Sequence, residues 1–99
     1  MGFGGKVDLG KNHSLNMEKV RSFAEIIAEE MKNKYNIDWK WENNSIIFRA
    51  NSGAAKGISG KLDISTSRVN ILIHLPILLY ALRDQVEKSV NEKMTELFG

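Results

Sequence analysis

The period of the hydrophobic pattern switches partway along this chain, and the switch constrains the fold more than any other feature. From Met17 to Tyr35 the apolar residues Val20, Phe23, Ala24, Ile27, Met31 and Tyr35 recur at helical spacing, which gathers them into one stripe. Glu18, Arg21, Glu25, Glu29 and Lys32 occupy the opposite face. From Ile37 the apolar residues recur at every second position, the side-chain period of a strand. After Pro76 the helical spacing returns, with Leu79, Leu82, Val86, Val90, Met94 and Leu97 on one side.

The alternating stretch divides into four strands. Ile37, Trp39 and Trp41 form the apolar set of a strand over residues 37–42, and Ile46, Phe48 and Ala50 that of a return strand over 45–50. Asn43-Asn44 between them suits a two-residue hairpin turn, because Asn tolerates positive φ. Residues 58–64 present Leu62 and Ile64 inward, and residues 69–75 present Val69, Ile71, Ile73 and Leu75. Gly60 falls on the inward set, which predicts a bulge or the close approach of a helix there. Helices are predicted over about 17–35 and 77–98. Asn16 is placed to cap the first, Asn36 to close it in the left-handed conformation, and Pro76 to open the second.

Links this short favour antiparallel neighbours. The predicted fold class is therefore α+β: a four-stranded antiparallel meander with both helices packed on one face. Lys6–Leu9 offers a short extra strand at the N-terminus. Residues 1–99 make one domain, with the glycine-rich residues 1–5 expected to fray.

Composition excludes several function classes. The chain has no cysteine, so it has neither disulfides nor a thiolate metal site, and this fits a cytoplasmic location. Met1–Lys6 lacks the apolar core of an export signal. The run from Ile71 to Leu82 is interrupted by His74 and Pro76 and is too short to span a bilayer. Between Asn36 and Leu75 five basic residues (Lys40, Arg49, Lys56, Lys61, Arg68) meet three acidic ones (Asp38, Glu42, Asp63). That balance argues against a nucleic-acid partner.

No catalytic constellation emerges. His13 and His74 lie on different elements without metal-ligand spacing, so neither a metal nor another cofactor is expected. His74 alternates with Ile73 and Leu75 and should face outward, whereas His13 can hydrogen-bond backbone at the entry to the first helix. Glu25 and Glu29 share a helix face and read as solvated. Gly53–Gly57 lacks the Gly-Lys-Ser/Thr ending of a phosphate loop. A non-enzymatic protein is the expectation.

Two apolar groups carry more content. Trp39, Trp41 and Phe48 either fill the core, which a small domain needs, or line a cavity for a hydrophobic acyl ligand between sheet and helices. Ile77, Leu78 and Tyr80 cannot all face the core that Leu79 and Leu82 address. Either the N-terminal segment covers them or they form a contact surface. Ile47 and Leu72, on the outer sheet face, suggest a second surface suited to a homodimer.

The order of these features resembles a family of small bacterial proteins of the polyhydroxyalkanoic acid system, often encoded beside genes for polyester storage granules. The matching residues are His13-Ser14-Leu15, then Ala24, Ile27 and Ala28 ending at Tyr35, Trp41 before a polar turn, and Phe48 on the return strand. Gly57-Ile58-Ser59-Gly60 and the passage from Val69–Leu75 into Leu78-Leu79 follow the same pattern. The chain departs from it in the loop Asn51–Lys56 and at Pro76-Ile77. The resemblance implies association with polyhydroxyalkanoate metabolism, with the granule surface or granule proteins as partners, and brings no catalytic residue with it.

Overall fold

The computed structural model describes residues 5–99. Five strands form one antiparallel sheet: β1 (Lys6–Asn12), β2 (Asp38–Glu42), β3 (Ser45–Arg49), β4 (Ser59–Ile64) and β5 (Arg68–His74). Their spatial order is β1-β5-β4-β3-β2. Strands β2 to β5 are the expected meander. The N-terminal strand is longer than Lys6–Leu9 and adds at the far edge, pairing Val7 with Ile73 and Leu9 with Ile71. Of the segment expected to fray, residues 1–4 lie outside the described residues. Gly5, just before β1, is tied to the chain leaving β5, its carbonyl accepting from Leu75 N at 2.6 Å.

The register puts one apolar set on a single face. Ile46 lies opposite Leu62 and Leu62 opposite Ile71, and all three are buried with Val7, Phe48, Val69 and Ile73. Gly60 sits in this set beside Phe48. A Cβ there would lie 2.7 Å from the Phe48 ring and would meet the Leu72 carbonyl oxygen, so the glycine makes room for the phenyl ring and for the neighbouring strand, not for a bulge or a helix.

Helix α1 (Met17–Tyr35) covers β2, β3 and β4, while the C-terminal helix α2 (Arg83–Phe98) lies against β1 and touches α1. The α1 boundaries follow from its caps. Asn16 Oδ1 accepts from Lys19 N at 2.8 Å, and Asn36 ends the helix at φ 57°, its N–H donating to Lys32 O. Asn43 takes φ 56° in the β2–β3 turn. Val20, Ala24, Ile27 and Met31 of α1 and Val86, Val90 and Met94 of α2 complete the core.

The last helix departs from expectation. It does not run unbroken from residue 77: Ile77–Leu82 is a 3₁₀ segment, and α-helix begins only at Arg83. Pro76 precedes the segment in an extended conformation, and no side chain caps its start. A tight Leu79 N to Pro76 O bond of 2.8 Å takes the place of α-helical pairing. The change of winding also moves Leu82 out of the predicted buried stripe, leaving it 36% exposed.

Candidate functional site

Where β5 leaves the sheet, the chain passes through Leu75 and Pro76 into the 3₁₀ segment. Gly57, at φ +101°, lets the β3–β4 loop approach Pro76 closely, since a Cβ there would sit 3.0 Å from Pro76 Cγ. Leu75 is buried and Leu79 packs partly against the core. Tyr80 folds its ring over Gly5, where a Cβ would lie 2.7 Å from Tyr80 Cζ, and is likewise half-buried against the core. The three contact candidates therefore separate. Ile77 is 75% and Leu78 91% exposed, and together they form an apolar prong, whereas Tyr80 anchors the segment that carries it.

Trp39, Trp41 and Phe48 gather under α1. Phe48 is buried. The two indoles are half-buried on the edge strand, and each presents its N–H to a helix carboxylate. Trp39 Nε1 donates to Glu29 Oε2 at 2.8 Å and Trp41 Nε1 to Glu25 Oε2 at 2.6 Å. Arg21, one turn earlier, stands 4.0 Å above the centre of the Trp41 ring in a cation–π contact, and donates to Asn44 Oδ1 at 3.3 Å. The spacings match. Four helical residues advance about 6 Å and two strand residues about 6.6 Å, so alternate residues of β2 meet successive turns of α1 running the other way.

Glu25 and Glu29, read from the sequence as merely solvated, thus fasten the helix to the edge strand. The gap between α1 and α2 beside Ile27, Met31, Tyr35 and Val90 holds about 10 Å³, room for about one water. A larger hollow of about 320 Å³ beside Trp39, Ile47 and Phe48 is open to solvent along the β2–β3 hairpin.

His13 has the backbone role foreseen for it. Its Nδ1 accepts from Leu15 N at 3.1 Å, and Nε2 lies 2.9 Å from Ser65 O. With Nδ1 accepting, Nε2 is the ring atom placed to donate to Ser65 O. The ring also stands 6.0 Å from that of Phe98, which meets Phe23 edge-on at 5.6 Å. His13 therefore ties the entry of α1 to the β4–β5 turn and to the end of α2. His74 is exposed on the outer face. Among the described residues no three His, Asp or Glu side chains group as metal ligands, and no helix is long and apolar enough to cross a membrane.

An ion pair joins the two helices. Lys93 reaches Glu30 at 3.4 Å across the helix pair and Glu96 at 3.3 Å on its own helix, and these carboxylates, Glu96 first, raise the Lys93 pKa. Burial of Tyr35 pushes its phenol above the ordinary 10.0.

Comparison with curated proteins and with solved structures finds no match. The family described as "Putative polyhydroxyalkanoic acid system protein" matches residues 7–98, from the first strand to the end of α2, and the chain belongs to that family.

Proposed function

We propose that this protein is a non-enzymatic accessory factor of polyhydroxyalkanoate storage, attaching to the polyester granule or to its bound proteins through the Ile77–Leu78 prong. The observation that carries this reading is the exposure of two adjacent large aliphatic side chains on a segment whose neighbours are anchored. Leu75, Leu79 and Tyr80 pack against the core, so the backbone that presents the prong is held in place. Exposed aliphatic residues on such a support suit reversible attachment to a hydrophobic surface. The family's description supplies the polyester context.

Fractionation of granule-forming cells tests the reading. The native protein should sediment or float with the granules, and Leu78→Asp should release it into the soluble fraction. A wild-type protein that remains wholly soluble while granules accumulate would refute the attachment.

A further inference from the structure

We infer that two copies of this chain join edge to edge through β2, antiparallel about a two-fold axis at Trp39, so that their sheets run on as one. The hydrogen-bond pattern leaves this edge open. Ala50 N donates to Ile58 O and Ile64 N to Asn44 O, which turns the even-numbered backbone groups of β3 toward β4 and the odd-numbered ones toward β2. Lys40 lies opposite Ile47 and Asp38 opposite Arg49, so these β2 residues direct their N–H and C=O groups at β3. The N–H and C=O groups of Trp39 and Trp41 point away from the sheet, and no other backbone group takes them among the described residues. The far edge is different. There α2 lies against β1, and Arg83 Nε donates to the outward Lys6 carbonyl at 2.9 Å.

Charged side chains on an edge strand turn most other strands away, and here they select the one that fits. Outward backbone groups must meet outward ones, so a second β2 can add with the two-fold axis at Trp39, Lys40 or Trp41. Centred on Lys40, the pairing sets Lys40 against its own copy and Asp38 against Glu42, and like charges directly opposite are destabilising. Centred on Trp41, it carries Trp39 onto Asn43, which turns out of the strand at φ 56°. Centred on Trp39, it keeps to the segment 37–41 and sets Asp38 against Lys40 twice, once on each side of the axis. Both residues are exposed, and Asp38, which accepts from Asn51 at 3.3 Å, makes no ion pair among the described residues. The inner face gains as well. Trp39 is only half-buried, and the axis brings the second copy's indole beside it, an aromatic cross-strand pair of the kind that stabilises antiparallel junctions. The surface is thus complementary to itself, as a closed two-fold interface requires.

Size-exclusion chromatography with light scattering, over a concentration series of the full-length chain, tests the pairing, and far-UV circular dichroism checks that each variant is folded. The native chain should pass from monomer to dimer. Asp38→Lys sets Lys against Lys at both contacts and should weaken the dimer about tenfold, and Lys40→Asp should do the same by setting acid against acid. Asp38→Lys combined with Lys40→Asp restores two opposite-charge contacts and should recover the native dimer.

A native chain that stays monomeric throughout, or that grows beyond a dimer, would overturn the pairing. So would a dimer weakened by both single variants that the combined variant fails to restore. A dimer indifferent to Asp38→Lys but lost on Leu72→Asp would put the contact on the outer sheet face, and one lost on Leu78→Asp would put it at the prong. Either result removes β2 as the interface.

Discussion

Replacing Glu29 by Ala should loosen the edge of the sheet, and a double-mutant cycle with Trp39→Phe measures by how much. The structure sets the size. One indole N–H donates to one carboxylate oxygen at 2.8 Å, and hydrogen bonds to charged groups contribute about 1.5–3 kcal/mol when sheltered. Glu29 is exposed, and water competes for both partners, so the expected coupling is about 1 kcal/mol. In a domain of this length that corresponds to a Tm lower by about 4–8 °C. Urea titration followed by far-UV circular dichroism is the suitable assay, because Trp39→Phe removes one of the two fluorophores. The Trp39–Glu29 pair is preferable to Trp41–Glu25, since Arg21 also contacts the Trp41 ring and would confound the cycle. A coupling below about 0.3 kcal/mol, within the ordinary error of additivity, would show that the ladder of α1 carboxylates does not hold the edge strand.

Three further outcomes follow from the geometry. Gly60→Ala should destabilise by about 2–3 kcal/mol in chemical denaturation, because the new methyl group meets the Phe48 ring and the Leu72 carbonyl; a neutral result would refute the close approach. Asn36→Val should cost about 1–2 kcal/mol in the same assay, since a β-branched residue resists the φ of 57° that ends α1, and a cost within error would mean that the cap relaxes freely. Tyr35 gives a pH signature. Burial raises its pKa in the folded state above 10.0, so the unfolded chain releases that proton first. The stabilisation is complete below pH 10 and is lost as pH rises through the higher folded value. Tyr35→Phe should therefore decline less steeply above pH 10 than the native protein, and parallel declines would remove the argument.

What could be read in the sequence was whatever depends on one residue type or on one period. Alternation assigns a face to each residue of Trp39–Phe48 and Leu62–Ile73, and the side chains of Asn16 and Asn36 have few other reasons to stand where they do. Pairing partners are another matter. Alternation in Lys6–Leu9 identifies a short strand but neither its full length nor its neighbour, so the extension to Asn12 and the place beside β5 emerge only once the sheet is assembled. The carboxylate–indole ladder is hidden for a related reason. Glu25 and Glu29 look like any solvated helix face until β2 is known to lie beneath them, and only then does the match of two strand residues to one helical turn mean anything. The 3₁₀ segment escapes because Leu79 and Leu82 are three apart, a spacing that both helix types accept.

The break after Pro76 also yields the sharpest separation between a packing role and a docking role. In a 3₁₀ turn residues three apart eclipse, so Leu78 lies in register with Ala81, which is exposed as well. The core contacts of the segment come from Leu79 and Tyr80. With 91% of its surface in water, Leu78 buries almost no apolar area in the monomer, and the stabilisation that scales with such area is nearly absent. Leu78→Asp should thus change unfolding free energy by no more than about 0.5 kcal/mol while removing surface attachment. Leu79→Asp, one residue along, should destabilise the fold itself. Thermal and urea unfolding of the two variants side by side decides the matter. If Leu78→Asp unfolds as readily as Leu79→Asp, the side chain belongs to the packing of this fold, and the prong has no claim to a partner.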